Sequence, residues 1–232
     1  MAWFQLQAEQ IAARVRGEES ASRVPSLAES IWRGVLGFTL LSVAGFVPWA
    51  LSGRWFYRAI GEAGLYAVCA LVFIGLSGPL LHRLMIGPGS LSRFYRLFAI
   101  AFTAYSVLWI AGWMAFGGHL GSIVGLGLGT AAMAFILVTA FGSGREWLKV
   151  FAALFILNTL GYFVGGWVEG AVAASAEWRF GDVVVTRKTL RTTAHLLWGV
   201  FYGLGFGAGL GLAFHFCQTN ARALIRGRDL RS

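Results

Sequence analysis

Four histidines are the side chains of this sequence best suited to hold a cofactor. His195 and His215 lie at the two ends of one glycine-rich apolar run, and the other two lie at the ends of further apolar runs. Imidazole nitrogen is a common axial ligand of haem iron. One hypothesis is therefore a b-type haem- or chlorin-pigment-binding electron-transfer subunit with two ligand pairs, His82 with His215 and His119 with His195. The alternative is that these histidines form hydrogen bonds at helix ends.

Neutral polar side chains lie deep within two of the apolar runs. Asn158 and Tyr162 are one helical turn apart, and Tyr105 and Ser106 lie in the middle of another run. Polar side chains at this depth commonly form hydrogen bonds between membrane helices. They also suit the wall of a cavity, so these four residues are the candidate binding site for a small neutral or lipid-like molecule.

Catalytic chemistry has little support in the sequence. Ionisable groups in the middle of a membrane helix are costly and usually functional, but the middle of each apolar run has none. Cys69 and Cys217 are predicted at different depths, too far apart for a disulfide. Neither a CxxC nor an HExxH pattern is present. The sequence therefore indicates no catalytic residue and no metal site, and an enzyme is not the favoured class.

The stretch GVFYGLGFGAGLGLAFH, residues 199–215, contains GLGFGA, which fits the G-x-G-x-x-G/A pattern of dinucleotide-binding loops. That loop follows a β-strand and faces a soluble crevice, neither of which is predicted here. Small residues instead allow membrane helices to approach closely. Two stripes of glycines at four-residue steps are therefore predicted to pack helices together, with a flexible helix as the alternative. The stripes consist of Gly121, Gly125 and Gly129, and of Gly199, Gly203, Gly207 and Gly211. Gly205 and Gly209 form a further face on the second of these helices.

Composition indicates which elements carry these residues. The chain of 232 residues is 57% hydrophobic and only 12% charged, whereas soluble domains have about 25% charged residues. Apolar runs of about 20 residues are long enough to cross a bilayer as helices. The sequence therefore predicts an all-α integral membrane protein, a six-transmembrane-helix bundle. The predicted spans are residues 31–52, 63–85, 95–117, 119–142, 147–170 and 193–217.

The charge pattern predicts the orientation. Most of the 19 basic residues lie in the termini and in the connections that would share their side, and Lys and Arg concentrate on the cytoplasmic side of membrane proteins. Both termini are therefore predicted in the cytoplasm (N-in/C-in), in a multi-pass protein of a bacterial cytoplasmic (inner) membrane. The net charge of +9 then reflects topology and contact with anionic lipid headgroups, and nucleic acid is not a predicted partner.

The chain divides into three predicted segments. Residues 1–25 form a cytoplasmic amphipathic segment and linker, residues 26–218 form the membrane domain, and residues 219–232 form a basic cytoplasmic tail. Apolar residues at three- and four-residue steps within residues 3–16 predict a short N-terminal amphipathic surface helix. That helix would lie on the leaflet or contact a partner subunit.

Local signals mark some of the boundaries. Ser26 with Glu29, and Ser143 with Glu146, have the S-x-x-E spacing of a capping box. The longest connection, residues 171–192, contains β-branched residues around one Gly-Asp pair, which is a weak indication of a β-hairpin.

Three functions remain open from the sequence. The first is a structural, accessory or assembly subunit of a membrane complex, associated with other membrane subunits or with itself, because catalytic residues are lacking and helix-packing glycines are abundant. The second is a carrier or channel for a small neutral or lipid-like molecule. The third is the haem- or pigment-binding subunit.

Overall fold

Helices form nearly all of the part of the chain that the computed structural model describes, which comprises residues 4–16, 24–175, 178–180 and 183–229. Residues 17–23 of the predicted linker and the last three residues of the predicted tail lie outside it. The α-helices are α1 (Ala8–Arg16), α2 (Leu27–Leu81), α3 (Ser90–Phe116), α4 (Gly118–Phe141), α5 (Trp147–Ala174), α6 (Arg187–Cys217) and α7 (Thr219–Asp229). Short 3-10 helices follow α2 at His82–Leu84 and precede α5 at Gly144–Glu146.

Within the described residues, five helices are long and apolar enough to cross a membrane. They are α2, α3, α4, α5 and α6, and α2 with the 3-10 helix after it forms a single stretch from Leu27 to Leu84. This finding is compatible with the predicted membrane-embedded helical protein. The first predicted span falls within α2 and the second overlaps its end and the 3-10 helix after it; the connection expected between the two spans is also helical, except at Gly61.

Gly61 breaks α2 into two halves, residues 27–60 and 62–81. Its backbone has φ 73° and ψ 179°, a conformation that only glycine adopts without strain. The halves then run antiparallel. At the ends remote from Gly61, Arg33 Nη1 donates to the carbonyl oxygen of Arg83 at 2.8 Å. Closer to Gly61, the ring of Phe73 lies against Gly45. The chain therefore reverses direction at Gly61, although α2 is assigned as one helix from Leu27 to Leu81.

Helix α6 lies between α2 and α5. On one face, a Cβ atom added at Gly207 would lie 2.5 Å from the carbonyl oxygen of Gly34, which leaves no room for a side chain. On another face, a Cβ at Gly205 would lie 2.8 Å from the Cα of Gly161 in α5. Both faces of α6 thus approach neighbouring backbones directly, and close approach gains dispersion and Cα–H···O contacts.

Helices α3 and α4 are antiparallel neighbours joined at Gly117, which has φ 62°. A Cβ added at Gly125 would lie 2.6 Å from the carbonyl oxygen of Trp109, and one at Gly129 would lie 2.8 Å from that of Tyr105. The connection is so short that it leaves no length for the helices to separate.

The ends of the bundle differ. The end that carries α1, α7 and the start of α2 is called the terminal end below. The opposite end, which carries Gly61, Gly117 and the connection from α5 to α6, is called the loop end.

Helix α1 packs against α7 at the terminal end. Phe4, Leu6 and Ile11 are buried, the last two at 1% exposure, and Gln7 Nε2 donates to the carbonyl oxygen of Ala140 at 3.5 Å. The chain itself therefore covers the apolar face predicted for a surface helix. The segment predicted as a basic tail forms α7, in which Arg222 is buried.

The two predicted capping boxes have different outcomes. At the start of α2, Glu29 N donates to Ser26 Oγ at 3.1 Å and Ser26 N donates to Glu29 Oε2 at 3.4 Å, so this box is confirmed. The box predicted at Ser143 is wrong. Ser143 follows Gly142, which has φ 66°, and its hydroxyl points back to the carbonyl oxygen of Val138 at the end of α4.

Two three-residue strands lie in the connection between α5 and α6. They are β1 (Trp178–Phe180) and β2 (Val183–Val185), which pair antiparallel with Arg179 opposite Val184. The connection is shorter than the predicted 171–192, because α5 continues to Ala174 and α6 begins at Arg187, where Thr186 Oγ1 accepts from Thr189 N at 3.3 Å.

Candidate ligand cavity

A cavity of about 360 Å³ lies among α2, α3, α5 and α6 in the half of the bundle nearer the loop end. Both halves of α2 contribute to its wall. Eleven of its sixteen lining residues are aromatic, which is far above the 15% aromatic content of the whole chain. The lining consists of Gly45, Phe46, Trp49, Tyr66, Cys69, Ala70, Phe73, Phe102, Tyr105, Ser106, Trp109, Ile110, Trp113, Tyr162, Trp198 and Tyr202.

Five of these aromatic residues contact one another in sequence around the cavity. This group of five side chains is called the aromatic ring below. The order is Tyr66, Trp109, Tyr162, Trp198 and Trp49. Each successive pair meets edge to face, with interplanar angles of 76°, 67°, 64° and 69°. Edge-to-face pairs are a favoured aromatic geometry. Since the first and last members belong to the two halves of α2, the ring connects α2 through α3, α5 and α6 back to α2.

A hydrogen-bonded tyrosine pair closes the deeper side of the cavity. The hydroxyls of Tyr105 and Tyr202 are 3.0 Å apart, and Asn158 Nδ2 donates to Tyr105 Oη at 3.0 Å. Asn158 has no exposed surface. The three side chains come from α3, α6 and α5, so this network joins three helices, as buried polar groups in membrane proteins commonly do.

A second set of polar contacts holds Tyr162 in place. Its hydroxyl is 3.2 Å from Ser122 Oγ of α4, and its carbonyl oxygen accepts from Trp198 Nε1 at 2.9 Å. The hydroxyl contact thus positions the ring of Tyr162, and the bond to its backbone carbonyl positions the indole of Trp198; both side chains line the cavity.

Glu62 accepts hydrogen bonds from two residues of the cavity wall. Tyr66 Oη donates to Glu62 Oε1 at 2.8 Å, and Trp113 Nε1 donates to the same oxygen at 3.3 Å. A single carboxyl oxygen has lone pairs enough to accept both hydrogen bonds. Glu62 follows the break at Gly61, and Trp113 lies one turn before the end of α3 at Phe116. The carboxylate therefore sits at the loop-end side of the cavity and bridges α2 to α3.

The four polar residues predicted as a cavity site are in one region of the structure. Tyr105, Ser106 and Tyr162 line the cavity, and Asn158 lies directly behind Tyr105. Whether they bind a ligand stays a prediction at this point.

The sequence prediction missed most of the aromatic lining. The positions of Trp49, Trp113 and Trp198 near the ends of apolar runs are typical of an interfacial aromatic belt, so depth alone does not assign them to a cavity. The missed signal is spacing: Tyr105, Trp109 and Trp113 recur every fourth residue and so share one face of α3. A stripe of Tyr and Trp is unusual on a face that has to pack against helices, since each hydroxyl or indole N–H needs a partner.

The four histidines have separate partners. His195 stacks on Trp49 with ring centroids 3.8 Å apart and lies 3.6 Å from Glu169, while the ring of His119 lies near Phe163. His82 Nδ1 lies 2.9 Å from the carbonyl oxygen of Gly78, and His215 Nδ1 lies 3.4 Å from Ser30 Oγ.

The contacts of His82 and His215 are hydrogen bonds of the kind expected as the alternative to haem ligation, whereas those of His119 and His195 are contacts with aromatic rings and with a carboxylate. Among the described residues, no group of three or more His, Cys, Asp or Glu side chains is placed to hold a metal ion. Ligation of a haem or pigment by these histidines stays a prediction.

Comparison of the chain with family models, with curated proteins and with solved structures gives no match. The class of the protein therefore rests on the molecule itself. It is a helical protein with several helices apolar and long enough for a membrane, and it has an aromatic-lined cavity among four of them.

Proposed function

We propose that the chain is a multi-pass membrane protein that binds a small lipid-like molecule in the aromatic cavity, as a carrier does. The observation that supports this proposal most directly is the cavity itself. Membrane helices gain most from close packing, and the glycines of α6 show that this chain packs helices closely where its sequence allows. Space of about 360 Å³ in the same bundle falls in the range of small-molecule sites.

The chemistry of the wall supports the same function. Small-molecule sites are mainly apolar and carry a few convergent polar groups that orient the ligand. Here the aromatic ring supplies the apolar surface, and Tyr66, Tyr105 and Ser106 supply hydroxyl groups from two helices. A ligand with an apolar body and one polar end fits this division.

For the topology we propose six crossings, with both termini on the cytoplasmic side of a bacterial inner membrane. The break at Gly61 supports two crossings within α2, because its halves contact each other in antiparallel order. The concentration of Lys and Arg near the termini supports the orientation. Green fluorescent protein fused after Asp229 is expected to fluoresce, since it matures in the cytoplasm, whereas the same fusion after Gly117 is expected to stay dark. Fluorescence of both fusions would contradict the proposal.

The accessory-subunit hypothesis loses one support. The N-terminal helix was a candidate docking element, but Phe4, Leu6 and Ile11 are buried within the chain. Less apolar surface is therefore left on α1 for a partner than the sequence pattern indicates.

The test compares bound molecules in matched variants. Ala70→Phe places a ring in the cavity, and Val107→Phe places the same ring on the exposed face of α3, where Val107 is 58% exposed. Each protein is purified from membranes, extracted with organic solvent and analysed by mass spectrometry. We expect a small molecule that accompanies the wild type and Val107→Phe and is depleted in Ala70→Phe. Equal extracts from all three folded proteins would contradict the function.

A further inference from the structure

We propose that the ligand of the aromatic cavity carries an alkylated ammonium group, which lies within the aromatic ring next to Glu62. This inference rests on the proposed function and names the chemical class of its ligand. It is carried by two features that occur at the same place: the kind of aromatic side chain in the wall and the position of the carboxylate.

The aromatic ring is built from the side chains that attract cations best. The faces of Trp and Tyr rings carry negative electrostatic potential, and sites for quaternary ammonium groups are commonly cages of several such rings. The ring contains three tryptophans and two tyrosines, in edge-to-face contact around one space. All five residues line the cavity, and neighbouring rings differ in orientation by 64° or more, so they border the space in different orientations.

Trp49 has less ring surface available to a cation than the other four residues. Trp49 already stacks on His195 with one face, at 3.8 Å between ring centroids. Trp49 also lines the cavity. The cage is thus formed from α3, α5 and α6 as well as α2.

Glu62 supplies the complementary charge. It is the ionisable group that the described hydrogen bonds connect to the cavity wall, through Tyr66 and Trp113. A carboxylate that accepts from two wall residues raises the negative potential inside the cage. An opposite charge also reduces the cost of moving a cation out of water. Because Trp113 lies one turn from the end of α3, the charged group of a ligand would sit near the end of the bundle and not at its centre.

The Phe-lined region of the same bundle argues against a wall that is simply apolar. Phe94, Phe98 and Phe102 stack face to face at 5.1 Å. Several indole and hydroxyl groups of the cavity wall already have hydrogen-bond partners within the chain, and a purely hydrocarbon ligand would pack as well against phenylalanine. A cation instead gains from the ring faces of Trp and Tyr, and most from Trp.

The experiment uses two probes of the same shape. Benzyltrimethylammonium carries a quaternary nitrogen, and neopentylbenzene has carbon in that position. Affinity for the wild-type protein in lipid nanodiscs is measured by ligand-observed NMR, with the cavity-filled Ala70→Phe variant as the baseline for partition into lipid. The expected result is that the cation binds about tenfold more tightly than its neutral analogue.

Two variants test which residues cause the preference for the cation over its neutral analogue. Glu62→Gln keeps the shape and removes the charge, and Trp109→Leu removes one ring face. Both are expected to weaken the cation about five- to tenfold and to change the neutral probe by less than about twofold. Trp147→Leu, at the terminal end and outside the cavity wall, is the control for loss of a tryptophan. Circular dichroism and thermal unfolding confirm that each variant is folded.

The outcomes separate the two proposals. If both probes bind above the Ala70→Phe baseline with equal affinity, the cavity binds small molecules but the ammonium inference is wrong. A cation preference that Glu62→Gln and Trp109→Leu leave unchanged would also overturn it. If neither probe binds above the baseline and the solvent extracts of the variants are equal, the proposed function fails as well.

Discussion

The two halves of the bundle use the same helices but pack them differently. Toward the terminal end the core is made of phenylalanines such as Phe38, Phe94 and Phe206, which have no exposed surface. Toward the loop end the corresponding positions are Trp and Tyr, and they surround a cavity of about 360 Å³. Phenylalanine can be packed from every side, whereas Trp and Tyr each carry a polar group that has to be satisfied. The closed core is thus built from phenylalanine, whereas the wall of the cavity is built mainly from Trp and Tyr.

The glycine contacts between α6 and α2 show where the helices separate. A Cβ at Gly211 or at Gly207 would meet backbone atoms of α2 directly, at 2.7 Å from Ile31 Cα in the first case. At Gly199, three turns further toward the loop end, the neighbouring atoms belong instead to the ring of Phe46 at 3.2 Å. The two backbones therefore diverge toward the loop end, and the cavity occupies the opening.

The strongest test of this comparison is a side chain at the point of closest approach. Gly207→Leu places its side chain against the backbone of Gly34 and Val35, which cannot move away within a packed core. We expect loss of the folded protein, measured as aggregation on size-exclusion chromatography in detergent. Gly75→Leu is the control, because a Cβ there meets nothing within 4 Å. Recovery of both variants as folded protein would show that the close helix contacts are dispensable.

The next largest effect concerns one phenylalanine from each half. Phe38→Ala removes a fully buried ring that contacts Phe73, Phe102 and Phe206, and a loss of about 3–5 kcal/mol in unfolding free energy is expected. Phe46→Ala removes a half-buried ring from the cavity wall, for which we expect a loss at least about 1 kcal/mol smaller. Unfolding by sodium dodecyl sulfate in mixed micelles measures both. Equal losses would contradict the contrast between a closed core and an open wall.

Added volume distinguishes the halves in the opposite sense. Ala101→Leu, in the closed core, is expected to cost about 1–3 kcal/mol because no space is available. Ala70→Leu points into the cavity and is expected to change the free energy of unfolding by less than about 0.5 kcal/mol. The same unfolding assay compares them. A large loss for Ala70→Leu would mean that the cavity closes in the membrane.

The smallest expected effect is that of the buried amide. Asn158→Ala leaves Tyr105 Oη without the donor it has at 3.0 Å, and interhelical hydrogen bonds in membrane proteins are worth about 0.6 kcal/mol, at most about 1.7. A loss of about 1 kcal/mol is therefore expected in the unfolding assay. Thr139→Ala, whose hydroxyl bonds to the carbonyl of Phe135 in its own helix, should lose less. A larger loss for Thr139→Ala than for Asn158→Ala would contradict a stabilising role of the hydrogen bonds among Asn158, Tyr105 and Tyr202.

The sequence predicts the long helices well because length and apolar composition determine them. Apolar periodicity also predicts α1, and the S-x-x-E pattern predicts the cap at Ser26. What periodicity does not indicate is that residues 53–60 are helical, because Gly, Arg and Glu near Gly61 resemble a polar connection. The break depends on one backbone conformation, which composition does not encode.

The candidate site is predicted less completely. Tyr105, Ser106 and Tyr162 are found from depth and polarity, and the four-residue spacing on α3 points to Trp109, but Tyr66 is recognised only once the helices are arranged. Which faces meet depends on contacts between residues far apart in sequence, such as Tyr66 with Trp109. The box predicted at Ser143 fails for a similar reason, since Gly142 redirects the chain and the hydroxyl toward α4.

In the proposed topology, Gly61 determines whether the number of membrane crossings is odd or even. An unbroken helix of the 55 residues of α2 would extend about 80 Å, although about 30 Å of hydrocarbon separates the two faces of a bilayer. In the proposed topology, the positive φ of Gly61 converts that one excessive crossing into two. Each later helix begins on the face where the preceding one ends, so this single dihedral angle decides on which face every subsequent connection emerges. In the proposed topology it also decides that α7 emerges beside α1, where the two helices form their contact.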